Sequence, residues 1–392
     1  MKIGIDLISS MKIVDDVARY TGGTNYAKAI LKCLINSNKL EKAKWILYIP
    51  EGFIIPDEDR NIFDNRNFER RYAKAIDDCN VAGVDVLFLP QVNGDLLTTI
   101  PRIKKEHSEL KIYATLHDRQ HNFYKYDWTE RYYYKGVKHT GIPGFLEYYI
   151  KRLAFRMIYG HAVKYIDKIF TVSNYSMQKL MHKNIKNIKF YVQENIIQCD
   201  EIETSSREDY ILFVGGGRPE KNLLRTLTAF QKYKEISKKN YRLVITGVSN
   251  QLQQQLIAAS GVNDDTKKYI EFTPYLSYDE LKRLYANCRY TVFTSKGEGY
   301  GLPVREALSY GKAIIASRTT SVPEVAGAAL YYVDPFDVES IASGFEKFDS
   351  DTFLDRYERY ARERKQIVEQ TATQDMNILI DELMEEIYES NL

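Results

Sequence analysis

The chain has 392 residues, 44% hydrophobic and 28% charged, with a formal net charge of +2. That length exceeds one ordinary core and calls for two domains, while the composition places the chain among soluble globular proteins rather than disordered or membrane ones. Four cysteines, Cys33, Cys79, Cys199 and Cys288, show no C-x-x-C spacing, so neither a zinc site nor a disulfide framework is implied and a reducing cytoplasm is expected.

The charge is unevenly shared. Residues 1–200 hold 31 Lys and Arg against 23 Asp and Glu, and residues 201–392 hold 24 against 30, so the first half is +8 and the second −6. Most of the excess lies in 101–200, including Lys151, Arg152, Arg156, Lys164, Lys168, Lys179, Lys183, Lys186 and Lys189. Such a face suits a membrane surface or an anionic acceptor, and equally a solvated helix face; no nucleic-acid motif accompanies it. The first residues enter a strand with no apolar signal region, and no run reaches the length of a bilayer span. A cytoplasmic protein is expected, with a peripheral contact at the inner membrane face as an open option.

In chain order, residues 2–8 read as a buried strand, followed by a polar loop and then Gly22 and Gly23, which lead into a helical spacing over 27–34. Further strands are predicted at 45–49, 84–89, 111–116, 168–172 and 188–192, with helices notably over 145–166 and 174–183. This alternation predicts a parallel α/β sheet. Residues 198–209 are polar and without periodicity, as in a linker. The alternation then resumes: strands at 210–214, 242–246, 269–272, 290–294 and 313–316, helices at 222–234, 250–259 and 278–287, and a strongly helical tail from Thr352. Two doubly wound domains are expected, with ligands in the crevice outside the carboxyl ends of their strands.

One stretch concentrates chemistry. The strand 290–294 runs into Ser295–Glu306, S-K-G-E-G-Y-G-L-P-V-R-E, where a glycine-rich turn meets a helix opened by Pro303. Exposed turn amides and a helix N-terminus suit phosphate. The flanking Glu298 and Glu306 would repel phosphate; as ionised acceptors they suit vicinal diols instead. Phosphate between two diols describes a nucleotide sugar.

Four stretches together resemble the retaining glycosyltransferases of family 4, which have the two-domain GT-B fold. They are 297–306, with seven residues between Glu298 and Glu306; its continuation over 309–317 and 322–327; 213–222, reading F-V-G-G-G-R-P-E-K-N; and Leu116-His117-Asp118. The resemblance implies that Glu298 holds hydroxyls of the transferred sugar and Glu306 the ribose, while backbone around Gly299, Tyr300, Gly301, Leu302 and Pro303 cradles the distal phosphate. Gly215 opens a loop whose basic pair would neutralise the departing diphosphate. Lys221 matches the family lysine. Relatives often carry their other basic residue where this chain has Gly216, and Arg218 is expected to take over that role. Gly22 and Gly23 resemble the loop that lets backbone approach the donor phosphates from the other domain, and His117 resembles the histidine near the reacting carbon.

The expected architecture is α/β, two Rossmann-like domains facing a central cleft: an acceptor-side domain over 1–200, a nucleotide-sugar-binding domain over 201–370, and a helix over 371–392 packing back on the first. The expected function is transfer of a hexose or deoxyhexose, with retention, from a nucleoside-diphosphate sugar to a glycan or lipid-linked acceptor in surface polysaccharide or glycoconjugate synthesis. No cofactor and no metal are expected; the one D-x-D, Asp57-Glu58-Asp59, lies in a charged loop and reads as solvated surface. The tyrosines between 124 and 149 read as core and rim or as an aromatic acceptor platform. An alternative is a catalytically inactive GT-B partner subunit. A nicotinamide oxidoreductase, suggested by Gly215-x-Gly217, fails because the third glycine position is Glu220.

Overall fold

A computed structural model describes all residues except 15–16, 21, 118–126, 128, 130–141, 181–188, 193–206, 275 and 386–392. Asp118, Lys183, Lys186, most of the 198–209 linker and most of the tyrosine-rich stretch lie outside the described residues. The chain divides into two compact units, Met1–Asp118 with Lys151–Gln198 and Glu369–Leu392, and Arg119–Ile150 with Cys199–Val368.

In the first unit, β1 (Lys2–Asp6) and the hairpin β2 (Met11–Val14) and β3 (Val17–Tyr20) precede the helix Gly22–Ile35. Then follow β4 (Lys44–Pro50), β5 (Phe68–Ala73), β6 (Val86–Leu89), β7 (Lys111–Leu116), β8 (Lys168–Thr171) and β9 (Lys189–Val192). Seven of these strands form a parallel sheet in the order β5-β4-β1-β6-β7-β8-β9. The chain builds outward from β1 to β5, then returns to add β6 on the other side. That reversal opens a topological switch point at the carboxyl ends of β1 and β6. The expected polar loop after β1 is in fact the β2–β3 hairpin, paired from Met11 with Tyr20 to Val14 with Val17.

The second unit repeats the plan. Strands β10 (Tyr210–Phe213), β11 (Arg242–Thr246), β12 (Ile270–Thr273), β13 (Tyr290–Phe293), β14 (Ile314–Ser317) and β15 (Tyr331–Val333) are parallel, in the order β12-β11-β10-β13-β14-β15. Its switch point lies between β10 and β13. Strands β10, β13 and β14 are buried along their whole length, as apolar runs in a sheet covered on both faces must be.

Helices cover the sheets because their apolar stripes match. Leu223, Leu227, Phe230 and Tyr233 of the helix Leu223–Ile236 join Ile211, Phe213, Leu243 and Ile245 in one core. In the first unit, Met376, Leu379, Ile380 and Leu383 from the end of the long helix Asp351–Leu383 pack with Ile3, Ile5, Ala27 and Leu31. Lys168, counted above with the basic face, is 5% exposed and ion-paired with Glu382 and Glu385, so it belongs to the core rather than to a surface. Asp59 is likewise buried and paired with Lys28 at 2.6 Å, which corrects the reading of that loop as wholly solvated. A lone buried carboxylate would be costly, and the lysine removes the cost. Among the described residues, no helix is long and apolar enough to cross a membrane.

Candidate donor site

At the switch point of the second sheet, two loops meet. The first follows β10: Gly215 has φ +80°, and a short turn Pro219–Lys221 ends at Asn222, a non-glycine residue with φ +65°. Asn222 is held there by its side chain, whose Nδ2 donates to the carbonyls of Thr294 (3.1 Å) and Pro335 (2.6 Å). The turn therefore presents Lys221 toward the end of β13. The second loop, 295–301, is tied to the first by Lys296 N donating to the Glu220 carbonyl at 2.8 Å, and Ser295 Oγ lies 3.0 Å from the same carbonyl.

These ties bring Lys221 and Glu298 together. Lys221 Nζ lies 2.7 Å from Glu298 Oε1, with the two side chains 4% and 9% exposed. Ser295 Oγ donates to the same carboxylate oxygen at 2.5 Å, and Lys221 Nζ sits 4.8 Å above the Phe293 ring. The backbone of Glu298 is fixed as firmly as its side chain. Its N–H donates to Thr320 Oγ1 at 2.9 Å, and Ser321 Oγ lies 3.1 Å from the carbonyls of both Glu298 and Tyr300, which share its one proton. Thr320 adopts φ +49°, a costly conformation for a β-branched residue, and it does so where its hydroxyl meets the Glu298 amide.

Gly301, with φ +101°, turns the chain into the helix Leu302–Ser309, in which Pro303 is the second residue. A first-turn proline costs the helix no hydrogen bond. Tyr300 is buried at 4% exposure, and Gly299 precedes it in the same loop. One turn into the helix, Glu306 accepts a hydrogen bond from the Tyr285 hydroxyl at 2.7 Å. Tyr285 itself stacks on Tyr310, with ring centroids 5.7 Å apart. Burial pushes the Glu306 carboxyl up to about 7, against the opposing pull of the Tyr285 hydroxyl and the Lys221 charge. Glu306 is thus poised to change charge near neutrality.

Arg218 stands apart. Its side chain is 54% exposed and its Nε pairs with Glu220 at 2.8 Å, so it does not join the Lys221–Glu298 pair. The glycine at 216 has a packing cause: a Cβ there would lie 2.7 Å from Leu223 Cδ2 and 2.9 Å from Val248 Cγ2. No side chain fits at that position without a shift of the core.

The sequence reading missed Asp127. It is 4% exposed and accepts from Arg225 through both oxygens, at 2.7 and 3.0 Å, while Lys296 Nζ lies 3.0 Å from Oδ2. Burial alone would raise its pKa, yet the two cations overcome that and hold the carboxyl well below the usual carboxylate range. Arg225 also donates to Asn222 Oδ1 at 3.1 Å, so this carboxylate braces both loops. Lys296, two residues before Glu298 in sequence, was the available signal. Tyr285 was missed for want of any.

In the first unit, Gly22 and Gly23 open their helix and His117 follows β7. A Cβ on Gly23 would lie 1.9 Å from Gln91 Oε1, just past β6, so only glycine fits. His117 Nε2 lies 2.8 Å from the Pro90 carbonyl, and the ring meets Tyr26 edge-on at 5.0 Å. Burial lowers the His117 pKa, with the Pro90 carbonyl opposing. A carbonyl only accepts, so the neutral ring carries its proton on Nε2 and leaves Nδ1 as an acceptor.

With this geometry in place, the chain can be set beside known proteins. The sequence profile of the glycosyl transferases group 1 family matches residues 197–366. The chain is 28% identical over 182 residues to O-antigen chain mannosyltransferase B of Escherichia coli, covering 45% of this chain and 47% of that protein. It is 29% identical over 208 residues to O-antigen chain mannosyltransferase RfbU of Salmonella typhimurium, covering 51% and 56%. The matches thus span about half the length of these relatives. The sucrose-phosphate synthase of Thermosynechococcus elongatus superposes with a TM-score of 0.65 at 12% identity, covering 99% of each chain. Residues 197–366 thus match the glycosyl transferases group 1, and the chain has the GT-B fold.

Proposed function

We propose that the chain is a retaining, metal-independent hexosyltransferase that moves a sugar from a nucleoside-diphosphate donor to a glycan or lipid-linked acceptor, in the synthesis of a surface polysaccharide. The observation that carries this reading is the buried Lys221–Glu298 pair at the switch point of the second sheet, with Glu306 one turn into the helix that follows the same loop. A lysine that loses its glutamate partner to sugar hydroxyls is free to receive diphosphate charge. Glu298 then holds the transferred sugar, Glu306 the ribose, and the amides of 299–303 the distal phosphate.

The leaving group is a diphosphate, so most of the rate enhancement comes from donors preorganised where its charge develops. Lys221 and the turn amides supply them. Gly215 keeps the backbone open beside Lys221, and Arg218 adds an exposed cation to the same loop. In the first unit, Gly22 and Gly23 leave backbone free for donor contacts. His117, with Nδ1 as acceptor, takes a hydrogen bond from a sugar hydroxyl. Mannose is the first sugar to try, because the relatives above are named mannosyltransferases. The test is a panel of GDP-, UDP- and dTDP-sugars, read by thermal stabilisation and by release of nucleoside diphosphate in the presence of EDTA. Stabilisation and release by one donor support the reading, and a strict requirement for a divalent cation contradicts its metal-free mechanism.

A further inference from the structure

The helix Ile142–Ala162 carries an apolar stripe that faces solvent. Leu146, Ile150, Leu153 and Met157 recur at intervals of four, three and four residues, which places them on one face, and they are 53%, 66%, 59% and 69% exposed. Ile158 beside them is 46% exposed. Isolated exposed apolar residues need no explanation, but a continuous stripe marks a surface that meets something.

Where this helix runs along the helix Leu96–Glu106, the two bound a cavity of about 660 Å³. It is lined by apolar Leu97, Pro101, Met157 and Ile158 and by the charged Arg102, Lys105 and Glu106. Arg102 is paired with Asp77. Lys105, Arg156 and Lys164 are exposed, and none of the three has an ion-pair partner among the described residues. Lys105 therefore shares the cavity with Met157 and Ile158, Arg156 adjoins Met157 along the helix, and Lys164 follows in the turn Val163–Tyr165.

We propose that this face docks on an anionic phospholipid bilayer, with Leu153, Met157 and Ile158 entering the acyl boundary and Lys105, Arg156 and Lys164 meeting lipid phosphates. An interfacial helix needs this pairing of apolar side chains with basic flanks. A second copy of the chain is the poorer partner. In a twofold contact each copy would bring the same basic face, and the like net charges would oppose it. The inference goes beyond sugar transfer, and its test needs no donor.

The full chain is floated with vesicles of phosphatidylcholine alone and of phosphatidylcholine mixed with phosphatidylglycerol. Co-flotation is expected with the mixed vesicles only, and added salt should weaken it. Leu153→Glu combined with Met157→Glu should abolish it, with the melting temperature checking the fold. Lys105→Gln and Arg156→Gln should each lower partitioning roughly fivefold. Failure to float with either vesicle, salt-independent or equal flotation with both, or undiminished flotation of the Glu double variant overturns the proposal. So does a concentration-dependent dimer that forms without vesicles and is lost in that variant.

Discussion

Lys221 and Glu298 are 77 residues apart in sequence, yet Lys221 Nζ lies 2.7 Å from Glu298 Oε1, buried where strands β10 and β13 end. Neither charge could stand alone at such burial. A ligand group that bound either partner would therefore have to release the other.

Replacing Glu298 by Gln keeps the shape and removes the charge that competes for Lys221. Nucleoside diphosphate should bind about tenfold tighter, while turnover with the sugar nucleotide falls by about a hundredfold or more. Titration calorimetry and steady-state rates read the two effects separately. Equal losses in both would show that Glu298 does not restrain Lys221.

Glu306 brings a pH dependence. Its carboxyl is raised from the ordinary 4.5 to about 7, so between those values the folded chain holds a proton that the unfolded chain has released. This contribution to stability therefore declines as pH rises through that window. Binding runs the other way, since the ionised carboxylate is the better acceptor for ribose hydroxyls. Affinity for a sugar nucleotide, whose diphosphate does not titrate here, should rise through about pH 7 in the native chain. In Glu306→Gln it should be weaker and flat.

Asp127→Ala leaves Arg225 and Lys296 without their shared counter-charge. Removing one partner from such a buried cluster costs about 3–5 kcal/mol, so the denaturant midpoint should fall sharply. Asp127→Asn, which keeps one acceptor oxygen, should cost less. A shift no larger than that of an exposed substitution would show that Asp127 does not brace the loops.

Gly23→Ala places a methyl group 1.9 Å from Gln91 Oε1. Donor turnover should drop, and Gln91→Ala in the same chain should restore part of it by making room. A double-mutant cycle measures that coupling. Additive losses would place the fault elsewhere than in the Gln91 contact.

Much of this was legible in the residues themselves. Apolar runs such as 210–213 and 290–293 announce buried parallel strands, and Gly301 with Pro303 announces a turn into a helix. The strand β5, Phe68–Ala73, was missed because charged Glu69, Arg70 and Arg71 occupy an edge position, where one side of a strand tolerates charge. The hairpin β2–β3 contains Lys12 and Arg19 and lacks a glycine turn, so it carries no local signal. In the site, Glu298, Lys221 and Glu306 fall within recognisable stretches. Asp127 acquires its role only from cations nearly 100 and about 170 residues away, at 225 and 296, and no local pattern encodes that distance. Arg218 and Gly216 show the converse: the missing basic side chain is explained by Leu223 and Val248, which only packing reveals.

The central claim is that the loops 215–222 and 295–306 together bind a sugar nucleotide. The most direct measurement is calorimetric titration of the donor selected from the panel into the native chain, Lys221→Ala and Glu306→Ala. The account predicts saturable one-site binding that each substitution weakens at least tenfold while the melting temperature of the free chain shows both variants folded. Unchanged affinity in both variants would contradict it.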